Sequence, residues 1–321
     1  MKVIVPIPIT ETQYQQSPTD GYGWGYATGA VVYNAGTPYV VGNIVYVAAL
    51  KSDFECIVGT TGNAPVLAGN TWWVRVGASN AWRPFDGVVS VQEEGYSGSS
   101  INSNDKLYVS LRGLGPFDTV ALLNVNASGV RTFFQTSFGV STYDQTISMI
   151  DDKEIIDAWT YCFADANFHN NVVFENIDGW GTANDSWLLI EIFLTGAWAS
   201  DHKAKVGEVV VGLALDIGET HAGVSMDLVD YSRKEFDAFG NATLVKRAYS
   251  DNASFEVEVL SARRSRVQAL IKGLRATPCV WYPTAADAND GIIIYGFPSS
   301  FGITYATPER AYASLEIEGL T

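Results

Sequence analysis

Apolar and polar residues alternate with a period of two over much of the chain, the spacing of strands that bury one face. In "KLYVSLRGL", Leu107, Val109 and Leu111 share one side, and Lys106, Tyr108, Ser110 and Arg112 share the other. "SFEVEVLS" repeats the pattern, with Phe255, Val257 and Val259 set against Glu256 and Glu258. "VALLNVNASGVRTFF" holds two apolar runs around Asn-Ala-Ser-Gly and predicts a hairpin. "WLLIEIFLTG" and "GEVVVGLALDIG" are apolar on both faces, as strands covered on both sides are. "YDQTISMI", "GIIIYGF" and "ASLEIEGL" add further strands. One stretch changes period. In "SARRSRVQALIKGLR", Val267, Leu270, Ile271 and Leu274 fall at i, i+3, i+4 and i+7, one helical stripe, with Ser261 as its expected N-cap and Pro278 beyond its end.

These elements divide the chain into four parts. Residues 1–20 read as an extended arm, whose backbone must find its hydrogen bonds on another part of the molecule or on a neighbour. Residues 21–86 are turn-rich with short strands, as in "TPYVVGNIVYVAAL" and "DFECIVGTTGNAP". So short a piece has little core, and large aromatics make one efficiently. Residues 87–219 carry strand after strand without a helix between them, which predicts a sandwich or jelly roll. Residues 220–321 run strands, one helix, strands, an α+β sandwich. The predicted class is mainly β and multidomain.

Composition narrows the function more than the fold. The 321 residues are 47 % hydrophobic and 17 % charged, enough for packed cores. A formal charge of −15 argues against nucleic acid as the partner, because phosphate is neutralised by lysine and arginine. The three cysteines, Cys56, Cys162 and Cys279, are far apart and suit buried free thiols better than a disulfide framework or a zinc site. "MKVIVPIPIT" lacks the features of a signal peptide, and "WLLIEIFL" is too short to span a membrane. A soluble protein made in a reducing compartment is expected.

Catalytic motifs are sparse. His169, His202 and His221 lack carboxylates at metal-ligand spacing, so no metal or other cofactor is implied. No serine-nucleophile elbow and no phosphate-cradling glycine loop occurs. A glycosidase needs two carboxyls across a cleft, for which Glu93, Glu94, Asp151, Asp152, Asp178 and Asp185 are candidates among 35 acidic residues. The sequons at Asn126, Asn184, Asn241 and Asn252 matter only in a secretory pathway. The charge pattern is more informative. Lys246, Arg247, Arg263, Arg264, Arg266, Lys272 and Arg275 crowd into 30 of the 321 residues of an acidic chain. Arg263, Arg264 and Arg266 are either a solvated helix face or a docking surface for an acidic neighbour, including another copy of this chain.

"YVVGNIVYVAALKSDFECIVGTTGNAPVLAGNTWWVRVG" resembles the small chitin- and cellulose-binding modules of polysaccharide-degrading enzymes. Tyr39, Gly42, Asn43, Val45, Phe54, Gly62, Asn63, Pro65 and Trp72 or Trp73 follow their pattern in order. The aromatics that precede the Gly-Asn-x-Pro turn in those modules are replaced here by "IVGTT". The resemblance points to Tyr39, Trp72 and Trp73 as carbohydrate contacts. One of the two tryptophans is expected in the core and the other partly exposed, with Trp82 packing at the junction to the next domain.

A longer resemblance, nearly end to end, is to virion structural proteins of tailed bacteriophages and related gene-transfer particles. It rests on Trp82, Phe85 and Asp86, on Leu122, Leu123 and Asn124, on Tyr143 and Asp144, and on "DYSRKEFDAFGN", "KRAY", "LRATPCVW" and "SLEIEGL". It implies a galactose-binding-like β-sandwich after the small module, and a tail-tip or baseplate component with no catalytic residues. Such a subunit is made in the bacterial host cytoplasm and resides in the virion tail. Its partners are other tail-tip proteins in a homo-oligomeric ring and host cell-surface polysaccharide, without membrane insertion. The alternatives are a cell-surface depolymerase or glycosidase with an appended binding module, and a stand-alone lectin-like binder.

Overall fold

The computed structural model describes residues 1–14, 31–94, 106–136, 140–150, 168–179, 186–194, 204–220, 224–236, 239–247, 249–283, 292–305 and 307–320. The protein is mainly β, with several sheets and one α-helix among the described residues. The small N-terminal sheet has the order β2-β3-β4-β5, formed by Val31–Val32, Ile44–Val47, Ser52–Cys56 and Trp73–Ala78. Its core is Tyr39, Val45, Phe54, Cys56 and Trp73. The rings of Tyr39 and Trp73 meet edge-on at 5.2 Å, and the Trp73 indole N–H donates to the Asn63 carbonyl at 2.8 Å. Two aromatic rings with satisfied polar ends thus replace the larger aliphatic core that so short a piece cannot supply.

The sandwich that follows packs a four-stranded sheet onto part of a ten-stranded one. The smaller sheet has the order β10-β9-β12-β7, from Ser141–Ser148, Gly129–Gln135, Trp187–Phe193 and Lys106–Arg112. Opposite it lie β8 (Thr119–Leu123), β11 (Val172–Phe174) and β14 (Glu208–Asp216). Leu107, Val109 and Leu111 point into the shared core as their alternation predicts. The expected hairpin at Asn-Ala-Ser-Gly does not form, because β8 and β9 belong to different sheets. All five residues of β8 are buried and both its edges are taken, by β11 and β14, so the chain crosses to the other sheet. Asn124, at a φ of 52°, makes the corner. Nor is β12 covered on both faces. Leu188, Ile190 and Ile192 are buried, while Trp187, Leu189, Glu191 and Phe193 are half-buried under side chains such as Arg112, whose guanidinium stacks on Trp187. β14 does bury both faces, over its first five residues.

The ten-stranded sheet runs β11-β8-β14-β1-β20-β21-β22-β19-β15, with β16 also on β19. Here β1 is Lys2–Pro6, β15 Glu219–Thr220, β16 Ser225–Asp230, β19 Tyr249–Leu260, β20 Cys279–Tyr282, β21 Ile294–Tyr305 and β22 Arg310–Gly319. Of the two expected partners for the first residues, another part of the molecule or a neighbour, the first strand takes the former. It lies inside its own sheet, joining the strands of residues 87–219 to those of 220–321, with Val3 and Ile4 buried on opposite faces. Gly212 permits the approach, since a Cβ there would collide with the Val5 carbonyl. The boundary expected at 219/220 falls within β15, so one sheet crosses it.

Helix α1 (Arg264–Gly273) covers one face of this sheet through Val267 and Ile271, with Leu274 just past its end, against a core that includes Phe255, Val257, Leu315 and Trp281. Ser261 is not its N-cap. A 3-10 turn, Ser261–Arg263, comes first and places Arg263 at the cap position without a side-chain cap bond. Two small ribbons remain, β6 (Glu93–Glu94) with β13 (Lys205–Val206), and β17 (Arg233–Phe236) with β18 (Ala242–Val245).

Candidate functional site

Five places hold the residues that sequence or structure singles out. In the small module, Tyr39 and Trp73 give their rings to the core, with Trp73 only 2 % exposed. Trp72, in the bend just before the strand, is 37 % exposed. Of the three expected carbohydrate contacts, Trp72 alone presents a ring to solvent. Trp82 stands at the junction, edge-on to Tyr14 at 5.1 Å, with the Lys51 ammonium 3.5 Å from its ring centre. Those contacts tie the segment before the module and the loop after β3 to the sandwich.

The cations of the helix are divided by the fold. Arg263 pairs with Asp216 at 2.8 Å, and Arg264 stacks on Tyr305 at 4.8 Å while donating from Nε to the Ser261 carbonyl. Arg266 is exposed. Among the acidic strand residues, Glu258 accepts an ion pair from Arg310, whereas Glu256, Glu316 and Glu318 face solvent. Lys246 and Arg247 sit elsewhere, beside a cleft.

That cleft, of about 360 Å³, opens where Val89, the Asn124 corner, Asn170–Asn171, the start of β19 and Tyr295 converge. Its amide wall is held rigidly. Asn124 donates from Nδ2 to the Val89 carbonyl at 2.7 Å and accepts from Gln92 on its own carbonyl at 2.8 Å. Its backbone N–H donates to Asn171 Oδ1 at 3.0 Å. Lys246, Arg247, Tyr249 and Asp251 form the facing wall.

Beneath the junction lie buried acids. Glu93 is fully buried, neither carboxylate oxygen has a hydrogen-bond partner among the described residues, and desolvation pushes its pKa well up. Glu208 accepts the Gly87 N–H at 3.0 Å, and burial pushes it up to about 9. Glu94 instead points outward to Lys205 at 2.7 Å. Adjacent on β6, Glu93 and Glu94 face opposite ways and do not flank a common cleft. Asp178 is exposed, and Asp151, Asp152, Asp185, Cys162, His202, His221 and Asn184 lie outside the described residues. Among the described residues, no group of three or more histidine, cysteine, aspartate or glutamate side chains could hold a metal ion. None of the described helices is long and apolar enough to cross a membrane. Cys56 and Cys279 are buried free thiols.

The fifth place is the β17–β18 hairpin, which sequence reading missed. Phe236, Phe239 and Leu244 are 65 %, 90 % and 77 % exposed, and Leu228 and Tyr231 add apolar surface at its base. Every described residue of β16, β17 and β18 is exposed, and among the described residues β17 and β18 pair only with each other. The available signal was "FGN" between two runs containing phenylalanine, valine and leucine.

No protein-family model, curated protein or solved structure matches the chain.

Proposed function

We propose that the chain is a non-catalytic structural subunit of a tail tip or baseplate in a tailed bacteriophage or related gene-transfer particle. It is made in the host cytoplasm, assembles with other tail-tip proteins into a homo-oligomeric ring, and contacts host-surface polysaccharide. The observation that carries this reading is the β17–β18 hairpin. A two-stranded ribbon alone is marginal in water, and this one leaves its phenylalanines and leucine in solvent. Clustered exposed apolar surface marks a protein-binding site, and unpaired strand edges invite strands from a neighbour. The stretch "DYSRKEFDAFGN", part of the phage-protein resemblance, includes β17 and the turn toward β18. The exposed Arg266 and the outward Glu256, Glu316 and Glu318 offer opposite charges for the head-to-tail contacts of a ring.

A polysaccharide-cleaving enzyme is less well supported, because among the described residues Asp251 is the one carboxyl that lines the cleft. The test is incorporation of the full chain into particles, compared with a Phe236→Ser, Phe239→Ser, Leu244→Ser variant. The variant should fold, since none of these side chains is in a core, and should be lost from particles. Normal incorporation would overturn the assembly role of the hairpin.

A further inference from the structure

We infer that the cleft between the Asn124 corner and the start of β19 binds an acidic saccharide, a sugar bearing a carboxylate or phosphate. This rests on the host-contact part of the proposed function and moves that contact from the small module to the body of the protein.

Three observations carry it. The cleft's volume of about 360 Å³ lies in the range of small-ligand sites, roughly 300–1,000 Å³. Its walls combine rigid amides with an aromatic ring. The Asn124 side chain is held by the Val89 carbonyl, and the Asn171 side chain accepts from the Asn124 backbone N–H and donates to the Ile293 carbonyl, which fixes the surface, while Asn170 stands exposed at its edge. Tyr249, in the facing wall, is exposed and offers a ring face to the apolar C–H face of a pyranose, with a hydroxyl at its far end. Asp251 supplies an acceptor for ring hydroxyls. Amides, a carboxylate and a tyrosine suit a polyhydroxylated ligand better than a hydrocarbon one.

The third observation sets the ligand's charge. Lys246 and Arg247 stand together on the cleft in a chain of net charge −15. No described carboxylate lies within 4 Å of either cation. Asp230 reaches Lys246 only at longer electrostatic range. An arginine fork matches carboxylate or phosphate oxygens in pairs, and a neighbouring ammonium adds a point charge. The neutral wall reads the sugar and the cations read its acid group.

The experiment screens the full chain on an array of neutral, uronate-containing and phosphate-containing oligosaccharides. Titration calorimetry of the hits follows, with acetate and inorganic phosphate as charge-only controls. The expected result is saturable binding of acidic members, separating carboxylate from phosphate sugars, with the matching neutral sugars and both simple anions at least about tenfold weaker. Arg247→Ala and Asn170→Ala should each weaken binding by about tenfold or more, while Trp72→Ala leaves it unchanged. Folding of each variant is checked by its thermal transition. Absence of any acidic hit, equal binding of neutral sugars, or loss of binding in Trp72→Ala with retention in Arg247→Ala would each overturn the inference. Ring formation, measured separately by mass photometry, should be intact in Arg247→Ala. A failure here therefore differs from a failure of the assembly reading.

Discussion

Ile4 of β1 lies opposite Val280 of β20 in antiparallel register, and both side chains are fully buried in one cluster with Ala121 and Val210. The first strand thereby holds two halves of one sheet together, for on its other side Val3 to Pro6 pair with Leu215 to Gly212. Neither half can close over that gap by itself.

Removing residues 2–6 should therefore unfold much of the sheet rather than merely weaken assembly. Fully burying a valine or isoleucine side chain is worth about 1.5–3 kcal/mol, and a domain's whole stability is only about 5–15 kcal/mol. The strand also satisfies the inward-facing edges of β14 and β20, whose backbone groups would otherwise be orphaned. A gentler variant, Gly212→Ala, places a methyl against the Val5 carbonyl and should lower the urea midpoint without removing any residue. Unchanged midpoints for both variants would show β1 to be dispensable.

Trp72 and Trp73 should respond oppositely to truncation. Trp73→Ala empties the centre of a core of five buried residues and orphans the Asn63 carbonyl, a cost of about 3–5 kcal/mol. That is enough to open so small a unit, and limited proteolysis within residues 31–78 should report it. Trp72→Ala, at an exposed ring, should leave proteolysis unchanged. Equal resistance of the two variants would contradict the core assignment of Trp73.

How legible these places were in the sequence depends on the range of the information each needs. The faces of β7 and β19 follow from local periodicity, as does the stripe Val267, Leu270, Ile271 and Leu274, of which Leu270 is half-buried and Leu274 packs into the core from just past the helix end. Periodicity also reports which face is buried but never which strand lies alongside. That is why β8 and β9 read as a hairpin although they occupy different sheets, and why β1 read as an arm. The adjacent apolar pair Val3 and Ile4 was a hint of two covered faces, but five residues are too few to separate centre from edge. The cleft was illegible for a plainer reason. Its walls come from residues near 89, 124, 170, 247 and 295, and only the folded sheet brings them together.

Raising the pH should destabilise the junction, and the buried acids set the direction. Glu208 has an ordinary pKa of 4.5 and is held at about 9 by burial, so between those values the folded state keeps a proton that the unfolded state has lost. The stabilisation is complete below about 4.5, declines through neutral pH, and is gone once the pH passes about 9. Glu93, fully buried and shifted upward by the same desolvation, acts in the same direction. The α-amino group of Met1 opposes them near its ordinary value of 8.0, because burial lowers its pKa and favours the neutral amine in the folded state. The decisive measurement is thus a difference between proteins. Glu208→Gln keeps the shape and an acceptor for the Gly87 N–H while removing the titration. Its urea midpoint should fall less than that of the unaltered chain between pH 5 and pH 9, and Glu93→Gln should behave likewise. Parallel pH profiles for the unaltered chain and both amides would show that neither carboxyl holds its proton in the folded state.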